Sequence, residues 1–178
     1  MESNHFSQDN MLRVAGIVND SVTDGPGIRY SLFLQGCPHA CIGCHNPESI
    51  PVEGGTLMSV SEIFNAIKQN PLLTGVTFTG GEPLLQAKAL NQLAEKIKGL
   101  NLELSIYTGF LYEDIQKLGP DATRLISYAD IIVDGPFVKN QKSLELKFKG
   151  SKNQRVINVK KTLENNNIVV LDSSGRWE

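Results

Sequence analysis

Three cysteines stand within eight residues of one another, in the run Cys37-Pro38-His39-Ala40-Cys41-Ile42-Gly43-Cys44, and the chain has no others. Thiolates grouped this tightly are ligands for a metal or an iron-sulfur cluster, whereas a disulfide framework spreads an even number of cysteines through the chain. A structural zinc site closes with four ligands, and a four-iron cluster held by protein alone takes four cysteines. Three thiolates therefore leave two readings. Either His39 or His45 completes a Cys₃His zinc site, or one coordination position stays open for chemistry.

A second group of reactive types follows in Thr79-Gly80-Gly81-Glu82-Pro83. Two glycines let a ligand approach the backbone closely, and the Glu82 carboxylate can accept hydrogen bonds from a cationic amino group. On its own this segment also reads as a tight turn into a helix, with Glu82 near the helix N-terminus.

The elements around these groups are legible from periodicity. Leu12 to Val18 forms a short strand-like run. The turn-rich Asp24-Gly25-Pro26-Gly27 precedes an alternating strand through Ile28, Tyr30, Leu32 and Leu34, which ends at Gly36 just before the cysteines. Ser59-Val60-Ser61-Glu62 has capping-box spacing and opens a helix with Ile63, Phe64 and Ile67 at helical intervals, stopped by Pro71. A strand over Gly75 to Thr79, a helix through Leu90, Leu93, Ala94 and Ile97, and a strand through Leu102, Leu104 and Ile106 come next. A short helix at Leu111, Ile115 and Leu118 precedes a buried strand at Ile131-Ile132-Val133, with further strand candidates at Val156 to Val159 and Ile168 to Leu171.

Strands alternating with helices predict an α/β fold with a largely parallel sheet. Ligands in such sheets gather beyond the carboxyl ends of the strands. The cysteines, Gly80-Gly81-Glu82, Tyr107-Thr108-Gly109 and Asp134-Gly135-Pro136 all follow apolar runs, so four loops are expected on one rim. The 178 residues are too few for an eight-stranded barrel of about 250 residues. The expectation is a single domain over residues 1–178 built as an open, partial (β/α)6-type barrel.

A formal charge of −2 gives no global field for nucleic acid or an anionic membrane. Residues 1–10 are polar and read as a loose terminus, not a signal peptide, and no stretch approaches the roughly 20 apolar residues of a membrane span. An odd, tightly grouped set of cysteines with no secretory segment points to a reducing compartment, so the chain is expected in the cytoplasm.

The cysteine spacing C-x-x-x-C-x-x-C beside Gly80-Gly81-Glu82 resembles the radical S-adenosylmethionine superfamily. Asp24-Gly25-Pro26-Gly27-Ile28-Arg29 and Cys44-His45-Asn46-Pro47 are similar to its glycyl-radical-enzyme activases. Asp134-Gly135-Pro136-Phe137-Val138 and Gly150-Ser151-Lys152-Asn153-Gln154-Arg155 resemble the members that serve anaerobic ribonucleoside-triphosphate reductase. The resemblance covers roughly Val14 to Val159.

It implies that Cys37, Cys41 and Cys44 hold three irons of one [4Fe-4S] cluster and that S-adenosylmethionine chelates the fourth. It further implies that Gly43 and His45 border the adenosine, that Gly80, Gly81 and Glu82 meet the methionine amino group, and that Asp134 reaches the ribose or methionine end. Many superfamily members carry an aromatic residue where this chain has Gly43, so side-chain stacking on adenine from that position is ruled out. The implied activity is reductive cleavage of S-adenosylmethionine to methionine and a 5′-deoxyadenosyl radical, which takes a hydrogen atom from a glycine of the reductase. The implied partners are the reductase and an electron donor such as reduced flavodoxin, with neither nucleic acid nor membrane. Another activase, such as that of pyruvate formate-lyase, and a non-enzymatic zinc or iron-sulfur module are the alternatives. Arg29 and Arg155 are read either as solvated or salt-bridged side chains or as organisers of the rim or partner contacts, and Lys139 to Lys149 as a basic solvated loop or hairpin or as a partner-facing surface.

Overall fold

The computed structural model describes residues 10–171, so the expected loose terminus over residues 1–9 lies outside the described residues. Strands β1 (Met11–Ser21), β2 (Arg29–Leu34), β3 (Thr56–Ser59), β4 (Gly75–Gly80), β5 (Glu103–Tyr107), β6 (Ile131–Asp134) and β7 (Arg155–Asn158) form one sheet in the order β3-β1-β2-β4-β5-β6-β7. β2, β4, β5 and β6 run parallel. β1 is antiparallel to both β2 and β3, and β7 is antiparallel to β6.

The open α/β sheet is as expected, but its parallel core holds four strands between antiparallel flanks. Connection length explains the flanks. Only residues 22–28 join β1 to β2, too short for the crossover that a parallel pair requires. Residues 135–154 contain a single 3₁₀ turn, Lys139–Gln141, and no crossover helix.

Alternation divides the sheet into two faces. Tyr30, Leu32 and Leu34 of β2, Val76 and Phe78 of β4, Leu104 and Ile106 of β5 and Ile132 of β6 all enter the main core. They pack under Ile63 and Ile67 of α1 (Val60–Gln69), Leu90, Leu93 and Ile97 of α2 (Ala87–Gly99), and Leu125 and Ile126 of α4 (Pro120–Tyr128). Residues of the opposite parity, Phe33, Thr79 and Tyr107, face a cleft on the other side. Helices thus cover one face and leave the other for a ligand.

The capping box of α1 forms as its spacing predicts: the Ser59 and Glu62 side chains each accept from the other residue's backbone N–H, at 3.1 and 2.7 Å respectively. The apolar run near Leu111 becomes α3 (Tyr112–Ile115) and a 3₁₀ turn, ended by Gly119 in a left-handed conformation. Pro120 then opens α4, at the first-turn position where its missing N–H costs nothing. Val159, expected at the end of a strand, instead starts α5 (Val159–Asn165), capped by the Asn158 side chain. Ile168 to Leu171 forms no strand, only a bridge from Val170 to Ile157 and a Leu171 amide bond to Val156.

Candidate functional site

Because β2, β4, β5 and β6 are parallel, their carboxyl ends share one rim, and the four chemistry-bearing loops meet there. They line a cleft of about 420 Å³ that reaches from the cysteines down the polar face of the sheet.

The cysteine loop is closed at its base. Gly36 donates to the Ser49 carbonyl at 2.8 Å and Cys37 to that of Ile50 at 3.0 Å. The Gln35 side chain, emerging from the end of β2, donates to the carbonyls of Glu48 and Pro51. Within this frame the Cys44 amide bonds the Cys41 carbonyl at 3.1 Å, and the Asn46 amide donates to the Cys44 sulfur at 3.4 Å. Cys37, Cys41 and Cys44 are free, partly exposed and all on the cleft wall. Burial pushes the Cys37 thiol up, with the Glu82 carboxylate adding to the shift, so a metal must displace its proton.

β4 delivers its turn against this loop. Gly81 and Glu82 donate backbone bonds of 2.8 Å to Leu34 and Gly36 at the end of β2. A Cβ at Gly81 would lie 2.3 Å from the Gly36 carbonyl oxygen, which is backbone and has no rotamer by which to move away. The segment needs glycine in order to bring β4 against the cysteine loop. Gly80 and Gly81 line the cleft.

Glu82 does not. Its carboxylate is fully buried behind them, where it accepts from the Leu84 amide (3.0 Å), the Thr108 hydroxyl (3.0 Å), the Gly109 amide (2.9 Å) and His39 Nε2 (2.8 Å). Gly80 and Gly81 present the turn to the cleft, and the Glu82 oxygens lie behind them with donors already in place.

Asp134 is likewise absent from the cleft wall and fully buried. Its carboxylate accepts from the Tyr112 amide at 2.8 Å and from both Nε and Nη2 of Arg155. Three consecutive residues here clasp three others: Asn153 Nδ2 donates to the Pro136 carbonyl (2.8 Å), Gln154 Nε2 to that of Gly135 (2.9 Å), and Arg155 to Asp134. Arg155 also holds Glu113 through two bonds, pulling that carboxyl down to about 2, while the paired carboxylates raise the guanidinium. Arg155 thus ties the carboxyl end of β6 to α3 at the rim. Arg29 stands at the amino end of β2, five residues or roughly 17 Å at ~3.3 Å per residue from the rim. It is wholly buried, bonded to Thr77, Glu103 and the carbonyls of Pro26 and Val76.

His45 stacks on Phe137 with centroids 4.7 Å apart, and both line the cleft with Gly135, Gly150 and Gln154. Gly43 is outside that lining; its left-handed backbone faces the stem of Lys139. Lys139 and the loop behind it thus pack on the cysteine segment. At the lower end of the cleft the Ser21 hydroxyl donates to Asp24, both on the wall. Burial raises the Tyr107 hydroxyl there, with the Asp24 charge adding and Arg29 opposing.

Residues 23–157 match the 4Fe-4S single cluster domain. Two relatives carry the name anaerobic ribonucleoside-triphosphate reductase-activating protein. The one from Enterobacteria phage T4 is 34% identical over 140 residues, covering 75% of this chain and 85% of the relative. The one from Haemophilus influenzae is 30% identical over 141 residues, covering 75% and 89%. A pyruvate formate-lyase-activating enzyme from Listeria monocytogenes is 34% identical over 150 residues, or 78% of this chain and 59% of the relative. The chain belongs to the 4Fe-4S single-cluster family of radical S-adenosylmethionine activases. A solved structure, QueE from Escherichia coli, is a distant likeness at 19% identity and a TM-score of 0.46, spanning 61% of this chain and 57% of that one.

The residues present fit the cluster of this family better than zinc. Both histidines that could complete a Cys₃His site are engaged elsewhere, His39 with Glu82 and His45 against Phe137. No three His, Cys, Asp or Glu side chains among the described residues gather as they would around one metal ion. A cluster spaces its thiolates more widely than a single ion does, since each takes a different iron.

Phe137, Gln154, Thr108 and Gly109 were not singled out as site residues by the sequence. The signal for Phe137 and Thr108 was their place just beyond a strand end. Gln154 is marked only by its motif and not by position, because it reaches the rim on β7's amino side, against the rule of carboxyl ends.

Proposed function

We propose that the chain activates anaerobic (class III) ribonucleoside-triphosphate reductase by installing a glycyl radical on it. One observation carries the proposal: three thiols share a cleft wall with the open backbone of Gly80 and Gly81, while the two histidines beside them are engaged with Glu82 and Phe137. Cys37, Cys41 and Cys44 would hold a [4Fe-4S] cluster, Gly80 and Gly81 the methionine end of S-adenosylmethionine, and His45 with Phe137 the neighbourhood of its adenosine. With the cluster bound, one electron passed to the sulfonium splits its S–C5′ bond into methionine and a 5′-deoxyadenosyl radical, which takes a hydrogen atom from the reductase glycine and leaves as 5′-deoxyadenosine.

The chain's own contribution is placement. Backbone bonds from Gly81 and Glu82 to the end of β2 hold the ligand turn in register with the cysteine loop, and effective molarity from such positioning is worth several kcal/mol, about 7–11 at its greatest. The open side of the sheet leaves access for a macromolecular substrate. The near-complete span of the reductase-activating relatives, against 59% of the pyruvate formate-lyase-activating enzyme, favours the reductase as partner.

A low-potential donor such as reduced flavodoxin supplies the electron. Three free thiols on a reactive loop fit a reducing, cytoplasmic setting, and no described helix is long and apolar enough to cross a membrane. The single sheet from β1 to β7 supports one domain for the whole chain.

Anaerobic reconstitution tests the reading. It predicts a brown protein with about four irons per chain, whose reduced spectrum changes on adding S-adenosylmethionine and which then yields 5′-deoxyadenosine. A colourless zinc protein, or a cluster indifferent to S-adenosylmethionine, would contradict it.

A further inference from the structure

His39 lies between the first and second cysteines, yet it turns away from a ligand role. Its Nε2 meets Glu82 Oε2 at 2.8 Å, its side chain is 16% exposed, and its ring stands edge-on to Phe110 with centroids 4.5 Å apart. The ring also occupies the space beside Gly109, where a Cβ would lie 2.4 Å from His39 Cδ2. Residue 109 therefore has to be glycine for this contact to exist.

The other end of the contact is a hub. The Glu82 carboxylate has no exposure, and its oxygens take donors from three strand ends: His39 beyond β2, Leu84 beyond its own β4, and Thr108 with Gly109 beyond β5. A buried carboxylate stripped of one donor leaves a charge undersolvated, so this hub resists partial dissolution. Gly80 and Gly81, immediately before it, lie on the cleft wall, as do the hub donors His39, Thr108 and Gly109.

We propose that the His39–Glu82 hydrogen bond is a latch that sets the distance between the cluster loop and the Gly80-Gly81 turn. His39 is then a positioning residue for S-adenosylmethionine, acting through Glu82. Glu82 works through its hub and not by direct contact with the amino group. The inference rests on the proposed function, since it takes the turn to hold the methionine end. Ligand-orienting partners of this kind are typically worth roughly 10–100-fold in affinity or activity.

Two substitutions separate the hydrogen bond from the packing. His39→Phe keeps a ring against Phe110 and Gly109 but removes the donor. His39→Gln keeps a donor near the position of Nε2 and loses the ring. Each is reconstituted anaerobically, iron per chain is counted, and S-adenosylmethionine is titrated against the spectrum of the reduced cluster. Hydrogen exchange at the Gly109 amide is followed in the metal-free proteins.

The latch predicts that His39→Phe retains its iron, binds S-adenosylmethionine about 10–100-fold more weakly, and exchanges Gly109 faster, while His39→Gln stays near wild type in all three. The opposite ranking, or a His39→Phe protein that binds as wild type, overturns it. So does a loss of iron with unchanged affinity in the clusters that remain, which would make His39 a packing residue of the loop. If His39→Phe gives no loaded protein, Gly109 exchange in the metal-free protein decides: exchange as slow as in wild type overturns the latch, and faster exchange restored by His39→Gln supports it. Failure of wild-type protein to respond to S-adenosylmethionine would instead sink the proposed function, and the exchange measurement would still judge the latch.

Discussion

Replacing Arg29 with Met should cost about 3–5 kcal/mol of stability, the usual loss when a buried ion pair is broken by removing one partner. The side chain has no exposure and donates to Thr77 Oγ1 (2.7 Å), the Pro26 carbonyl (3.0 Å), Glu103 Oε1 (2.7 Å), the Val76 carbonyl (2.8 Å) and the Glu103 carbonyl (3.2 Å). Burial pulls the guanidinium down and Glu103 opposes this, so the pair balances a desolvation cost that neither member escapes alone. Methionine fills much of the volume, so the loss is electrostatic more than steric. Glu103 is 35% exposed and can be partly hydrated when abandoned, which places the expected value near the lower end, about 3 kcal/mol.

Urea unfolding of the reduced, metal-free chain reads this directly. With a slope of about 2 kcal/mol per molar, the midpoint should fall by roughly 1.5 M. Adding Glu103→Gln to the Met variant should recover part of the loss, because it removes the orphaned charge. A midpoint shift below about 0.5 M, or no recovery in the double variant, would refute the buried-pair reasoning.

Two further outcomes follow from the rim clasp. Gln154→Ala leaves the Gly150 and Ser151 amides without their acceptor and the Gly135 carbonyl without its donor, so it should cost about 1–3 kcal/mol and speed exchange of those two amides. The Glu113 carboxyl is depressed in the folded chain from 4.5 to about 2 by Arg155. It therefore stabilises above pH 4.5 and loses that contribution as pH falls towards 2. Since Glu113 is 53% exposed, the amount is under about 1 kcal/mol, and unfolding at pH 5 and pH 3 should show a smaller difference in Arg155→Met than in wild type.

What could be read in advance follows physical range. Tyr30, Leu32 and Leu34 alternate within one strand, so their shared face was visible in the chain itself. The capping box needed only Ser59 and Glu62, three residues apart. Glu82 could not be read this way, because its partners Thr108, Gly109 and His39 lie 26, 27 and 43 residues distant. The same limit hid the clasp, even though both of its segments had been noticed as motifs. Gly119-Pro120 reads locally as a break, yet Pro120 begins α4, and short β3 is exposed over Thr56 and Leu57, with no apolar pattern to reveal it. The packing of Lys139 beside Gly43 is likewise a long-range contact with no local sign in the chain.

The central claim is that the open position among Cys37, Cys41 and Cys44 serves to make a protein radical. Reconstituted chain, a low-potential reductant, S-adenosylmethionine and anaerobic ribonucleoside-triphosphate reductase can be combined without oxygen and examined by electron paramagnetic resonance. The account predicts a glycyl doublet on the reductase, with 5′-deoxyadenosine formed as the radical appears. Cleavage of S-adenosylmethionine with no doublet on the reductase, while pyruvate formate-lyase acquires one, would contradict it.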